Sequence, residues 1–324
     1  MKALVYDGVE TLGYREVPDP EPRVGEQMIR VEAVGICGSD MHAYLGHDER
    51  RPAPLILGHE AAGEIVSGPK QGQRVTINPL VTNPDSANSR AGRENLCPER
   101  QIISMPPREG AFAEFVSMPE RNLVEIPQDV PYQKAALAEP LAVSWHAARL
   151  GLDALHSSMN PQALVIGGGA IGLAAALALQ AMGLRKVDLV EPNAARRRYL
   201  DNTCGQRVLT SAEGQYPLVI DAVGYSATRA LASSAVLPGG VIVHVGLGDA
   251  AGGLDVRRIT LQEITFIGTY TYTAQDFRET AAALFAGKLG PLDWTEERSL
   301  SDGWTAFKDI RAGMVPAPKM VLKP

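Results

Sequence analysis

The stretch ALVIGGGAIGLAAALALQAMGLRKVDLVE, residues 163–191, decides the fold of this chain. A short apolar run, typical of a buried strand, is followed by Gly167, Gly169 and Gly172 in the pattern G-x-G-x-x-G. A helical segment and a second apolar run come next, and that run ends at Glu191, 19 residues beyond Gly172. This order of strand, glycine turn, helix, strand and carboxylate predicts a βαβ unit that binds a dinucleotide.

Each glycine of the pattern has its own physical reason. A tight turn needs Gly167, close approach of the pyrophosphate needs Gly169, and close packing of helix on strand needs Gly172. The unpaired backbone N–H groups at the start of the helix, around Ala170 and Ile171, are expected to face the diphosphate. An ordinary strand–turn–helix without a ligand is the alternative.

The carboxylate of Glu191 predicts the kind of coenzyme. At the end of the second strand it can accept hydrogen bonds from both adenosine-ribose hydroxyls, and it repels a 2′-phosphate, so we expect NAD rather than NADP. Arg196 is expected beside the coenzyme, with Arg197 and Arg198 next to it. One of these arginines covers the adenine or reaches a 2′-phosphate, and a solvated helix face is the alternative.

The sequence pattern changes near residue 141. Before it, short β-like runs separated by Gly and Pro predict a strand-rich, barrel-like domain. After it, helical segments alternate with apolar strands, which predicts an α/β fold with a Rossmann doubly wound parallel sheet. We expect the sheet domain at 143–269 and the β-rich domain at 1–142 and 270–324, because the tail has no core of its own.

Composition excludes several classes of function. A formal net charge of -6 leaves no basic face for nucleic acid. The first residues lack the pattern of a secretory leader, and glycines interrupt the most apolar later segment, so no membrane role is expected. Three cysteines without paired spacing favour a reducing compartment, which predicts the cytoplasm.

Two further stretches carry metal-ligand chemistry, GICGSDMH at 35–42 and LGHEAAGE at 57–64. Cys37, His59 and Glu60 supply a thiolate, an imidazole and a carboxylate, the ligand types of a catalytic zinc ion that keeps room for water or substrate. Taken singly, each residue is more often a core or surface residue than a ligand.

These stretches, together with AALAEPLAVSWHA at 135–147 and the glycine loop, resemble the zinc-containing medium-chain dehydrogenases, the superfamily of alcohol, sorbitol and threonine dehydrogenases. The resemblance covers the whole chain and implies a GroES-like catalytic domain beside the NAD domain. It implies one catalytic zinc ion on Cys37, His59 and Glu139, with Glu60 as the catalytic carboxylate beside the histidine. Glutamate at 139 resembles the sorbitol and sugar-alcohol branch, in which either Glu60 or Glu139 is the direct ligand, so both are candidates.

The resemblance also implies a mechanism. Hydride passes between NAD(H) and the secondary alcohol of a polyol, sugar alcohol or sugar acid. Ser39 and then His42 resemble the relay that carries the alcohol proton to solvent, and Asp40 the residue that receives the other N–H of the zinc histidine. Val223 and Val245 lie at strand ends that resemble those flanking the nicotinamide ring.

Other interpretations stay open. The chain could be a zinc-free quinone or enoyl reductase of the same fold, or a catalytically silent nucleotide-binding protein. Arg50 and Arg51, in the expected substrate rim, could meet a carboxylate or phosphate, with a solvated loop as the alternative. Assembly is expected to be a homodimer or homotetramer, paired through the edge strands GGVIVHVGL and ITFIGTYTY.

The sequence departs from the family at the structural zinc. Aligning GRENLC with the usual ending of that lobe puts Asn83, Ser86 and Ser89 at three of the four cysteine positions and leaves only Cys97. Neutral amide and hydroxyl groups cannot replace thiolates, so no structural zinc is expected.

Metal analysis of the purified protein should therefore give about one zinc ion per subunit, the catalytic one. The measurement is elemental analysis against protein concentration. A stoichiometry close to two would overturn the prediction.

Overall fold

The computed structural model describes residues 1–324, which divide into two compact units. The first unit comprises Met1–Glu139, Thr273–Ala286 and Thr295–Pro324, and the second comprises Pro140–Tyr272 and Gly287–Trp294. Most of the tail after residue 272 thus belongs to the first unit. The short segment Gly287–Trp294 belongs to the second, whereas the sequence pattern assigned all residues after 270 to the first.

The first 139 residues form short strands with few helices. The strands are β1 (Lys2–Gly8), β2 (Thr11–Glu16), β3 (Glu26–Gly35), β4 (Leu55–Ile56), β5 (Glu60–Ile65), β6 (Arg74–Ile77), β7 (Leu80–Val81), β8 (Gln101–Ile102), β9 (Phe115–Pro119) and β10 (Leu123–Glu125). The α-helices of this stretch are α1 (Gly38–Tyr44), α2 (Ala87–Arg90) and α3 (Tyr132–Ala135).

The middle of the chain alternates helices and strands. The helices are α4 (Ala138–Ala154), α5 (Ala170–Ala181), α6 (Ala194–Cys204), α7 (Ser226–Ala235) and α8 (Val256–Leu261). The strands are β11 (Ala163–Ile166), β12 (Val187–Val190), β13 (Val208–Leu209), β14 (Tyr216–Asp221), β15 (Val236–His244) and β16 (Thr265–Gly268). The tail adds α9 (Ala274–Phe285), β17 (Thr295–Ser299), α10 (Gly303–Arg311) and β18 (Lys319–Lys323).

The second unit is built on one parallel sheet. Its strand order is β13-β12-β11-β14-β15-β16, and every neighbouring pair is parallel. The apolar strands β11, β12 and β14 are buried along their whole length, as expected for strands covered on both faces. This is the order of a doubly wound dinucleotide-binding sheet, and the predicted fold class is confirmed.

The main sheet of the first unit has the order β10-β6-β5-β3-β18-β17, with β9 also on β3. In it β3 pairs antiparallel with β5 on one side and with β18 on the other. A strand from the end of the chain therefore lies beside one from its beginning. No helix of the chain is both long and apolar enough to cross a membrane.

Candidate metal centre and coenzyme loop

Three strand ends meet in the first unit and determine which side chains come together. Gly35, the last residue of β3, pairs with Glu60, the first residue of β5. On the other edge of β3, Gly35 pairs with Val321 of β18, and Ile36 N donates to Met320 O at 2.9 Å. The residues that follow β3, precede β5 and begin β18 therefore converge.

Three of the four candidate metal ligands form one cluster. Ligand atoms of Cys37, His59 and Glu60 all lie within 4.8 Å of one another, with His59 and Glu60 buried. Glu139, in the first turn of α4, is also buried but is not a member of this cluster. The family resemblance left both Glu60 and Glu139 as candidate ligands, and of the two it is Glu60 that lies in the cluster.

Two observations show that this cluster fits a divalent cation. Glu60 Oε2 is buried without a hydrogen-bond partner, a costly state that coordination would relieve, and a Cβ at Gly35 would overlap this oxygen. The donor set gives the second: the thiol of Cys37, the imidazole of His59 and the carboxylate of Glu60 lie together, and these are the ligand types that Zn²⁺ takes.

Lys319 is a member of the site that sequence reasoning missed. Its Nζ donates to Glu60 Oε1 at 2.6 Å and to Ile36 O at 3.0 Å, and the side chain is buried. Burial alone would lower the pKa of Lys319, but the charges of Glu60 and Cys37 outweigh it and raise that pKa above its usual range. A charged Lys319 occupies one oxygen of Glu60 and leaves the other for a metal.

Asp40 orients the histidine of the cluster. Its Oδ1 lies 3.4 Å from His59 Nδ1 and accepts from Gly58 N at 3.2 Å, and its Oδ2 accepts from Cys37 N at 3.0 Å. Burial would raise the pKa of Asp40, but the charges of His59 and Arg51 lower it. Burial would lower the pKa of His59, but Asp40 and Cys37 raise it well above its usual value. Because Nδ1 faces Asp40, Nε2 is available to a metal.

Ser104 and Arg51 form a further layer behind His59. The Ser104 hydroxyl lies 3.3 Å from His59 Nδ1, and Ser104 has a φ of 68°, rare for a residue other than glycine. Arg51 Nε donates to Ser104 O at 3.0 Å, and the Arg51 guanidinium also pairs with Asp48. Arg51 is only 2% exposed, so the solvated-loop interpretation is wrong for this residue.

The two predicted relay residues lie on the same helix at different depths. Ser39, in α1, has its Oγ 3.4 Å from His59 Nε2, on the side of the ring that faces the cluster. His42 is in the last turn of α1 and exposed. A spacing of three residues puts both side chains on one face of the helix.

The glycine loop of the second unit has the geometry that the sequence predicts. Gly167 has a φ of 102°, and a Cβ at Gly172 would overlap the Gly167 carbonyl oxygen. Gly169 is the N-cap of α5, and a Cβ built there has no atom closer than 3.9 Å. Space therefore opens at the start of α5, where the N–H groups around Ala170 and Ile171 lack helical partners.

Glu191 is fixed against this loop. Its Oε2 accepts from Gly168 N at 3.0 Å and its Oε1 from Asn193 N at 2.7 Å, and the residue is 9% exposed. Each oxygen keeps a free lone pair, so both can still accept from a ribose hydroxyl.

The neighbouring arginines point in different directions. Arg197 Nη1 donates to the carbonyls of residues 191 and 192 at 2.9 and 2.6 Å, which ties it to the backbone. Arg196 reaches the glycine loop, where its Nη1 lies 3.9 Å from the Cβ position of Gly169. Arg196 is thus the arginine beside the expected pyrophosphate.

Val223 and Val245 follow the ends of β14 and β15. Val223 packs on Gly167, since a Cβ at that glycine would overlap its side chain. Val245 N donates to Asp221 O at 3.0 Å. Both valines are therefore at the carboxyl edge of the sheet, the same edge as the glycine loop.

Comparison with known proteins agrees with this geometry. Residues 23–128 match the alcohol dehydrogenase GroES-like domain, and residues 170–287 match the zinc-binding dehydrogenase family. L-galactonate-5-dehydrogenase of Escherichia coli K12 is 30% identical over 309 residues, which cover 89% of this chain and 88% of that protein. The chain belongs to the zinc-binding dehydrogenases. The family that the sequence resembled is confirmed, as is its enzyme class, an alcohol dehydrogenase with zinc and NAD(H) as cofactors.

Two further proteins match this chain over a similar length. Sorbitol dehydrogenase of Macaca fascicularis is 29% identical over 342 residues, which cover 96% of this chain and 93% of that protein. The structure of acetophenone reductase from Geotrichum candidum in complex with NAD superposes with a TM-score of 0.88 at 25% identity, covering 100% of this chain and 97% of that one.

The lobe that carries a structural zinc in the resembled family has side-chain hydrogen bonds in this zinc-binding dehydrogenase. Ser86 Oγ accepts from Ser89 N at 3.1 Å and bonds Ser89 Oγ at 2.9 Å, while Asn83 Nδ2 donates to Glu99 Oε2 at 2.7 Å. Burial would raise the pKa of the Cys97 thiol, but hydrogen bonds, with Ser86 first, lower it. The three residues at the positions of the family's cysteines thus form hydrogen bonds with their neighbours.

Two substitutions in the glycine loop should separate folding from coenzyme binding. Gly172→Ala places a methyl group on a backbone carbonyl, so we expect the free energy of unfolding to fall by about 1 to 3 kcal/mol. Gly169→Ala meets open space, so its stability should change by less than about 0.5 kcal/mol while NADH binding weakens. Urea unfolding and NADH fluorescence titration measure the two effects. Unchanged NADH affinity in Gly169→Ala would contradict the assignment.

Lys319→Met should destabilise the metal-free protein. The substitution leaves the Glu60 carboxylate buried without its cation, which costs about 3 to 5 kcal/mol of unfolding free energy. Urea unfolding in EDTA measures this loss, and added zinc should recover part of it. Lys319→Arg, which keeps the charge, is the matched control. Equal stability of Lys319→Met and wild type in EDTA would show that the pair is not a structural requirement.

Proposed function

We propose that this enzyme transfers a hydride between NAD(H) and the secondary alcohol of a polyol, sugar alcohol or sugar acid, with one zinc ion held by Cys37, His59 and Glu60. The observation that carries the proposal is the buried, unpartnered Glu60 oxygen in a cluster with a thiol and an imidazole. The relatives named L-galactonate-5-dehydrogenase and sorbitol dehydrogenase support the substrate class.

Zinc, when bound, supplies a Lewis acid that makes a nearby hydroxyl more acidic. The residues of the chain move the released proton. Ser39 is the first relay group, because its hydroxyl lies 3.4 Å from His59 Nε2; it accepts the released proton while it donates its own toward His42 through the coenzyme ribose. His42, exposed on the same face of α1, exchanges the proton with solvent, and its imidazole suits that role near neutral pH. Asp40 and Ser104 keep the His59 ring in one orientation.

The coenzyme assignment follows from the topology of the second unit. The chain leaves β11 for β12 on one side and returns to β14 on the other, so a dinucleotide spans the strand ends on both sides. Glu191, at the end of β12, takes the adenosine ribose, and Gly169 leaves space for the pyrophosphate. With Arg197 bonded to the backbone, NAD is favoured over NADP.

The rival functions lack comparable support. The mechanism of a zinc-free quinone or enoyl reductase does not require a buried cluster of a thiol, an imidazole and an unpartnered carboxylate. A nucleotide-binding protein without catalytic activity does not require a serine and a histidine on one face of the helix beside that cluster.

Assembly and location complete the proposal. β16 lies at the edge of the parallel sheet, with Thr265 and Gly268 exposed and Phe266 37% exposed. β15, which carries most of GGVIVHVGL, pairs with both β14 and β16, so the expectation that it is an edge strand is wrong. Two copies pairing along β16 would continue the sheet across a two-fold axis, giving a homodimer or, with a second interface, a homotetramer. The three free cysteines fit the reducing cytoplasm.

A panel of polyols, sugar alcohols and sugar acids, assayed for NADH formation, tests the proposed function. Wild type should oxidise at least one class of substrate, and Cys37→Ser should lose turnover by about 100-fold or more because a zinc ligand is removed. NADH binding by Cys37→Ser should stay within about twofold of wild type, since coenzyme contacts lie in the other unit. Full turnover by Cys37→Ser would refute the metal-dependent mechanism.

A further inference from the structure

Two loops at the carboxyl edge of the parallel sheet are joined by hydrogen bonds. The first loop follows β14 and spans residues 222–226, and the second follows β15 and spans residues 245–255. Gly248 N donates to Val223 O at 3.1 Å, and Asp249 N donates to Gly224 O at 3.0 Å. A Cβ at Gly224 or at Gly246 would overlap the backbone of the opposite loop, so the two backbones are in direct contact. These loops carry the two valines of the expected nicotinamide site.

Arg229, in the first turn of α7, forms hydrogen bonds with both loops. Its Nη1 donates to Gly224 O at 2.8 Å and to Asp249 O at 3.2 Å, and its Nε donates to Gly252 O. Its Nη2 bonds the Asp249 carboxylate and Ala251 O. One guanidinium thus contacts the first loop once and the second loop at three residues.

The contacts indicate a fixed arrangement of the loops. Arg229 is 7% exposed, and burying a guanidinium is costly unless its N–H groups are bonded. Asp249 is 40% exposed at its side chain and also accepts from Ser226 N at 2.9 Å, so it bridges the loop to the start of α7. Only a planar group with five donors can serve these acceptors together, which lysine cannot do.

The topology indicates which part of the coenzyme these loops meet. The pyrophosphate is expected at the glycine loop after β11 and the adenosine ribose at Glu191 after β12. The remaining half of a dinucleotide must extend to the other side of β11, where β14 and β15 end. That half carries the nicotinamide.

We propose that Arg229 is a positioning residue for the nicotinamide half of the coenzyme: its guanidinium fixes the pair of loops on which that half rests. It does not itself touch the coenzyme. The inference rests on the proposed NAD-linked function and goes beyond the coenzyme contacts at the glycine loop and Glu191.

The decisive experiment compares two ligands on full-length Arg229→Met and Arg229→Lys. NADH contains both halves of the dinucleotide, and ADP-ribose lacks the nicotinamide ring. NADH fluorescence titration should give a Kd about tenfold higher for Arg229→Met, with Arg229→Lys between that and wild type. The Kd of ADP-ribose, measured by competition, should stay within about twofold for both variants.

Arg258→Met is the matched control. Arg258 is another arginine of the same unit whose guanidinium bonds backbone carbonyls, those of Ser233 at 2.7 Å and Val236 at 2.8 Å. Val236 begins β15, so these contacts lie at the opposite end of the strand from the loops. Arg258→Met should lower Tm but leave the Kd of both ligands near the wild-type values.

Each outcome separates one interpretation from another. Unchanged NADH binding in folded Arg229→Met, or equal weakening of NADH and ADP-ribose, would overturn the positioning role. If Arg229→Met does not fold, Asp249→Ala replaces it, because this partner is partly exposed; it should weaken NADH selectively by about threefold, and equal binding would overturn the role. Failure of wild type to bind NADH would instead refute the proposed function.

Discussion

The buried carboxylate of Glu60 is the constraint on which the metal centre depends. A fully buried charge is tolerated only when its oxygens are paired, and here one oxygen bonds Lys319 while the other has no partner within the protein. Because Gly35 has no side chain, the carboxylate can turn its second oxygen toward Cys37 and His59. The pairing of β3 with β5 and β18 thus builds a half-satisfied site, and a cation completes it.

Asp40 is a second buried carboxylate whose need for hydrogen-bond partners orients the metal ligands. It accepts from the backbone of Cys37 and Gly58, so one carboxylate joins the segments that carry the thiol and the imidazole. It also faces His59 Nδ1, which fixes the ring for coordination through the other nitrogen. Arg51 contributes positive charge near Asp40 and holds the backbone of Ser104. Orientation of the histidine therefore depends on a network rather than on a single contact.

The metal centre and the coenzyme loop differ in how far the sequence predicts them. The coenzyme loop is contiguous, so strand, turn, helix and carboxylate can be read within 29 residues, and the doubly wound sheet follows. Lys319 lies 259 residues from Glu60, and only the pairing of β18 with β3 brings them together, which no local pattern reveals. The role of Arg229 cannot be predicted from the sequence for another reason. In the sequence it is one of several arginines in helical segments, and its role depends on the path of two loops. That Glu60, and not Glu139, lies in the cluster with Cys37 and His59 is likewise visible only in three dimensions.

The two proposed sites depend on different physical features, and this predicts different sensitivities to change. In the second unit, the glycine loop and the two joined loops depend on close backbone approach, so we expect an added methyl group at Gly172, Gly224 or Gly246 to be harmful although charge is unaffected. In the first unit, recognition uses buried charges, so substitutions that preserve size but alter charge, at Glu60 or Asp40, should be the harmful ones. Arg229 combines both, because a buried charge there serves to fix backbone. A positive group that binds only protein acceptors can therefore control a coenzyme that it never contacts.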